Sequence, residues 1–163
     1  MYEVKRVDPQ DEDLKARLNE ELQAGLRQID REELEALGVD PAEGVRSSVY
    51  ESDQVYYGRN LDNGRLAVVF GIDVYERDQG TPPVNIIWCL GTDEIKNVRK
   101  TFVKESAAVL QKWVKQYGML MNTVGLWNKD SLKWLKWLGA EFAEPREING
   151  KMFVDFFLRD KGE

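Results

Sequence analysis

The chain has 163 residues, 42% of them hydrophobic, with a formal net charge of −6; that is enough for one domain with a full core. The acidity argues against general nucleic-acid or anionic-membrane binding, both of which need clustered positive charge. The absence of histidine removes the commonest general base, the triads built on it and most zinc sites, and a single cysteine leaves no disulfide within the chain.

Tyr2 to Val7 alternates in the manner of a strand, and Pro9 stops it. Asp11, Glu12 and Asp13 favour the first turn of a helix whose buried stripe is Leu14, Leu18 and Leu22, with Gly25 ending or bending it. Asp30 reads as the N-cap of a short helix, with Glu33 three places on and Gly38 closing it. Asp40, Pro41 and Glu43 repeat the device for a third helix, whose inner face is Val45, Val49 and Tyr50. From Gln54 the pattern turns to strands. Val55 to Tyr57 precede Asp62-Asn63-Gly64, a hairpin signal, and Leu66 to Tyr75 is the returning strand. Gly71 inside it predicts a bulge or a close backbone approach. Glu76 to Pro83 is a polar, proline-containing loop and the segment most free to move.

Asn85 to Leu90 has the length and β-branched content of a strand covered on both faces. Cys89 within it reads as a small core residue, not a nucleophile, and suits a reducing compartment. After the turn Gly91-Thr92-Asp93, the stripe Ile95, Val98, Phe102, Leu110, Trp113 and Tyr117 predicts one long helix ending at Gly118, with the small Ser106 filling the missing turn. Met119 to Trp127 is the next strand. Asn128 to Leu138 is a helix capped by Asn128 or Asp130 and closed by Gly139, and Ala140 to Arg159 is strand, turn, strand around Asn149-Gly150. The hairpins require antiparallel pairing, and the strand–long helix–strand crossover requires a right-handed parallel pair. No linker divides the sequence, so residues 1–163 read as a single domain. The strand that feeds the long helix would present open backbone N–H groups and a positive helix end, a place that can hold phosphate. No signal peptide or spanning helix is evident, and a soluble cytoplasmic protein is the expectation.

The order of elements, together with Asn128-Lys-Asp-Ser131-Leu-Lys-Trp-Leu135-Lys-Trp-Leu138-Gly139-Ala140-Glu-Phe142, resembles the GNAT family of acetyl-CoA-dependent N-acetyltransferases. Trp88 to Thr92 (WCLGT), the helix after it, and the run from Asn128 to Gly139 are similar to a set of small phage proteins. These are the family of the minor internal virion, or assembly, protein of short-tailed coliphages. The likeness spans about Val4 to Phe157.

That resemblance implies a layered α/β fold, with a mixed, mostly antiparallel central sheet, a parallel splayed pair and helices on both faces. The splay would fall between Ile86–Leu90 and Leu120–Leu126, and the diphosphate of acetyl-CoA would sit in the turn Asp93 to Lys100. The implied cofactor-binding residues are Leu90, Lys96, Asn97, Arg99, Lys100 and Asn128. The family's glycines in this turn are missing, since none lies between Gly91 and Gly118. Lys96, Arg99 and Lys100 could bind phosphate through their side chains, while Asp93 and Glu94 would repel it. The family's usual acid, a tyrosine seven residues after the motif asparagine, is Leu135 here. Tyr117, Tyr56 and Tyr57 are the tyrosines that could stand in for it. Asp73 is the best candidate base, followed by Glu76; the alternative for Asp73 is a solvent-facing strand residue.

Trp134 and Trp137 either pack on the sheet or anchor a partner. Lys96, Arg99, Lys100 and Lys104 form one basic helical face. Three readings follow. The first is a phage-encoded GNAT-fold protein with a degenerate acetyl-CoA site, acting through contacts with phage or host proteins in virion assembly or infection, in the host cytoplasm or the virion. The second is an active N-acetyltransferase modifying a protein or small amine. The third is an inhibitor of a host protein.

Overall fold

The structure is a computed structural model that describes residues 1–76 and 78–160, so Arg77 of the polar loop lies outside it. The first strand, β1 (Tyr2–Arg6), is followed by α1 (Glu12–Gly25), α2 (Gln28–Ala36) and α3 (Pro41–Glu51). Next come β2 (Gln54–Asn60), β3 (Arg65–Tyr75) and β4 (Val84–Gly91), then the long α4 (Ile95–Tyr117). The chain closes with β5 (Leu120–Gly125), α5 (Lys129–Trp137), β6 (Glu141–Phe142), β7 (Arg146–Ile148) and β8 (Lys151–Leu158).

The strands form one sheet in the order β1-β2-β3-β4-β5-β8-β6, with β7 also on β8. Every pairing is antiparallel except β4 with β5. The turns follow their residues. Asn149 at φ 49° and Gly150 at φ 81° give β7 and β8 the two positive angles of a tight hairpin. Asp11 and Asp40 cap α1 and α3 by accepting the N–H groups of Leu14 and Glu43, at 3.0 and 3.1 Å.

The sheet divides two cores. On one face α1 and α3 place Leu18, Leu22, Val45 and Val49 over Val55, Leu66, Val69 and Leu90. On the other, α4 and α5 place Phe102, Leu110, Trp113 and Leu135 over Val68, Phe70, Ile72 and Phe156. Burial of each such side chain stabilises the fold by about 1.5–3 kcal/mol.

Gly71 meets the second of its two expected roles, a close approach: a Cβ there would lie 2.6 Å from both the Gln54 carbonyl oxygen and the Trp88 ring. The register shift in the β2–β3 pair falls at Gly58 and Arg59. One expectation is corrected. Asp30 is not an N-cap. The helix begins earlier, with Arg27 at its N-cap position, because the Arg27 N–H is tied to the Gly91 carbonyl at 2.9 Å and Leu26 bridges Thr92. Asp30 therefore sits within α2 and turns inward, 2% exposed.

Candidate functional site

The parallel pair β4–β5 keeps ladder register at Asn85 with Leu120 and Ile86 with Met121, after which the strands diverge. Asn85 fixes the vertex. Its side-chain amide donates to the carbonyls of Tyr117 and Met119, at 3.0 and 2.9 Å, pinning the end of α4 and the start of β5 to the start of β4. The result is a wedge opening toward the C-terminal ends of both strands, the expected splay. A cavity of about 150 Å³ follows it, with Ile87, Trp88, Asn122, Val124 and Leu135 among its walls. A neighbouring groove of about 300 Å³ lies between α4 and α5.

The amides at the mouth of the wedge are satisfied from within. The Gly91 N–H, at the end of β4, donates to Asp30 Oδ2 at 2.8 Å. The Gly125 N–H, at the end of β5, donates to Glu33 Oε2 at 2.8 Å, and the Asn128 side-chain amide donates to the same oxygen at 3.2 Å. Deeper in, the Asn122 amide reaches across to the Ile87 carbonyl at 2.5 Å. Asp30 also takes a two-pronged bond from Arg27, both contacts at 2.9 Å. Arg27 packs so close to Gly91 that a Cβ there would meet its Nε at 2.9 Å, which is why this position is a glycine. Burial pushes the carboxyls of Asp30 and Glu33 above their ordinary values, against the pull of the N–H groups they accept from and of Arg27.

The first turn of α4 is closed in a similar way. The N–H groups of Ile95, Lys96 and Asn97 bond the carbonyls three residues back at 3.1, 3.3 and 3.0 Å, and that of Glu94 bonds the Thr92 hydroxyl at 3.2 Å. The Glu94 carboxylate accepts from the side-chain amides of Asn60 and Asn97, at 2.8 and 3.0 Å, and these hold its pKa below the ordinary carboxylate range. A carboxylate thus lies beside the first turn of α4, held by side-chain amides and not by the helix N–H groups.

Each residue singled out in the sequence has a definite place. Leu90 packs its side chain into the α1/α3 core. Lys96 and Lys100 are exposed, Asn97 holds Glu94, and Arg99 pairs with Asp130 at 3.2 Å. Asn128 caps α5 through the Ser131 N–H at 3.3 Å and is 3% exposed. Leu135 is buried at 2% exposure. Trp134 lies against Phe102, with ring centroids 5.5 Å apart and the planes tilted by 38°, and its indole N–H is buried with no hydrogen-bond partner among the described residues. Trp137 is 63% exposed.

Asp73 lies opposite Ile86, level with the closed end of the wedge. Burial raises its pKa, the Ser52 hydroxyl opposes that, and Asp53 and Glu51 add to it. Tyr117 is committed to Gln54, which donates to its hydroxyl at 2.6 Å, and Tyr56 stacks on Phe70 in the core. Burial lifts the Cys89 thiol to about 12, which keeps it protonated and inert. The residues that sequence reasoning missed are Arg27 and Asp30, with Glu33 in its actual role.

The architecture is the GNAT acetyltransferase fold. A GNAT-family acetyltransferase from Streptococcus pneumoniae superposes with a TM-score of 0.62 at 14% identity, covering 98% of this chain and 100% of its own. The ribosomal-protein-S5-alanine acetyltransferase from Vibrio fischeri gives 0.65 at 11% identity, with 98% and 93% covered. A chain of the NatC complex, solved with Gag peptide and CoA, gives 0.62 at 13% identity, with 98% and 99% covered. No family model and no curated protein matches the sequence.

Such a fold implies acetyl-CoA. Here the strand-end amides of Gly91 and Gly125 hold carboxylates, and a third carboxylate, Glu94, lies beside the first turn of α4. No helix among the described residues is long and apolar enough to cross a membrane.

Proposed function

We propose that this GNAT-fold chain carries a degenerate coenzyme site and works through contacts with other proteins, phage or host, in virion assembly or infection. One observation carries the reading: Asp30 and Glu33 occupy the Gly91 and Gly125 amides at the mouth of the wedge, at 2.8 Å each. A coenzyme competing for those amides would have to displace two carboxylates, the buried Asp30 locked to Arg27 and the half-buried Glu33, and would bring further negative charge beside them. Leu135, buried where the usual proton donor would stand, supports the same reading. The phage setting draws on the similarity of Trp88 to Thr92 and of Asn128 to Gly139 to the internal virion protein set.

The second reading, an acetyl-CoA-dependent N-acetyltransferase acting on a protein or small amine, is favoured by the cavity of about 150 Å³ that persists between the diverging strands. Titration calorimetry with acetyl-CoA separates the two. The degenerate-site reading expects no saturable heat at millimolar coenzyme. Micromolar binding, weakened by Arg99→Glu, would replace it with the enzyme reading.

A further inference from the structure

Charge is sorted between the two helix layers. Helices α1, α2 and α3 hold ten acidic and four basic residues, whereas α4 and α5 hold nine basic and two acidic. Asp130, one of those two acids, is already paired with Arg99. All nine cations of α4 and α5 are exposed. A chain with a net charge of −6 therefore presents one strongly cationic face.

The same face has an apolar opening. The groove of about 300 Å³ between α4 and α5 is walled by Ile95, Phe102, Trp134 and Trp137, with Arg27, Lys133 and the Arg99–Asp130 pair beside them. Trp137, at 63% exposure, is the most exposed aromatic on either helix, one turn after Lys133 and next to Lys136. A rigid aromatic ring beside exposed cations is the make-up of an interface anchor, with the charges steering a partner of opposite sign.

Resting on the reading that this chain acts through protein contacts, we propose that the α4/α5 face docks an acidic segment of another protein, one of whose apolar side chains enters the groove beside Trp137. The carboxylates of the segment would pair with Lys133, Lys136 and the Lys96–Lys100–Lys104 stripe. Sequence-independent binding of single-stranded nucleic acid needs aromatic platforms along a continuous cationic track. Here one exposed ring stands beside a short groove, which suits a side chain better than a run of bases.

The test uses the full chain and the synthetic peptide Glu-Glu-Asp-Glu-Phe-Glu-Glu-Asp-Glu, followed by tryptophan fluorescence and amide shifts at low salt. Saturable binding at submillimolar peptide is expected. It should fall about tenfold in Trp137→Ala and in Lys133→Glu, fall again when Ala replaces the peptide's Phe, and weaken with salt. No saturable binding at millimolar peptide would overturn the proposal. So would binding that Trp137→Ala leaves intact, tighter binding of an oligothymidylate, or sedimentation of the free chain as an oligomer that buries this face. If the peptide fails while acetyl-CoA also fails to bind, only this proposal falls. If acetyl-CoA binds at micromolar concentration, the reading beneath it falls as well.

Discussion

Asp30 and Gly91 are 61 residues apart in sequence and 2.8 Å apart in space, the carboxylate accepting the last amide of the central strand. This bond and its twin at Glu33 satisfy the strand-end amides on both sides of the wedge from within the chain. Asp30→Ala would leave Arg27 unpaired, with its side chain only 16% exposed, and the Gly91 amide without its acceptor. The expected loss is about 3–5 kcal/mol in urea unfolding. Asp30→Asn, which still offers an oxygen to Gly91, should lose less. A cost of Asp30→Ala within about 0.5 kcal/mol, the range of an ordinary surface substitution, would mean the pair does not hold the wedge.

Glu33 makes stability depend on pH in a direction opposite to that of a surface ion pair. Its folded pKa lies above the ordinary 4.5 because burial outweighs the Gly125 and Asn128 bonds. Between 4.5 and that raised value the folded chain binds a proton that the unfolded chain releases. This contribution therefore grows as pH falls toward 4.5 and is lost as pH rises through the folded pKa. Asp30 adds in the same direction above its ordinary 3.8. Glu94 and Asp155, held low by their donors, act the other way once the pH falls below their ordinary values. Glu33→Gln should be at least as stable as the parent at neutral pH and should flatten the gain on mild acidification, measured by chemical unfolding across pH. A variant that is weaker at neutral pH and keeps the parent's slope would refute the assignment.

Gly71 is fixed by what lies over it. An added methyl would meet backbone at Gln54 and the Trp88 indole, whose N–H is itself anchored to the Ser52 hydroxyl at 2.9 Å. Neither neighbour is a flexible chain end. Gly71→Ala should cost about 1–3 kcal/mol, read from the thermal midpoint, whereas Gly64→Ala, with open space around it but φ at +74°, tests backbone strain alone.

The fold was legible because its signals are local. Asp40-Pro41 opens a helix, Asn149-Gly150 turns a hairpin, and the stripe through Phe102 and Trp113 runs the length of α4. The closure of the wedge was not legible, because each of its bonds joins residues far apart in sequence. The spacing of Asp30 and Glu33 imitates a capping pair. Only the tie between Arg27 and the Gly91 carbonyl, which starts the helix early, turns both side chains toward the sheet. The missing glycines after Gly91 and the leucine at 135 are the positions at which the sequence departs from the pattern of the family it resembles.

The tryptophans should separate cleanly by substitution. Trp137→Ala, removing a ring that is 63% exposed, should change stability by no more than about 0.5 kcal/mol. Trp113→Ala, removing a ring 1% exposed whose N–H donates to Gln54 at 3.0 Å, should cost about 3–5 kcal/mol. A large thermal loss in Trp137→Ala would place that ring in the core and withdraw it as an anchor.

The most direct measurement is the response of two backbone amides, Gly91 and Gly125, followed by nitrogen-15 NMR while acetyl-CoA is added. With Asp30 and Glu33 holding them, both should be protected from solvent exchange and unmoved at millimolar coenzyme. Saturable shifts at both glycines would show that the carboxylates yield to the coenzyme, and the wedge would then be a working acetyl-CoA site.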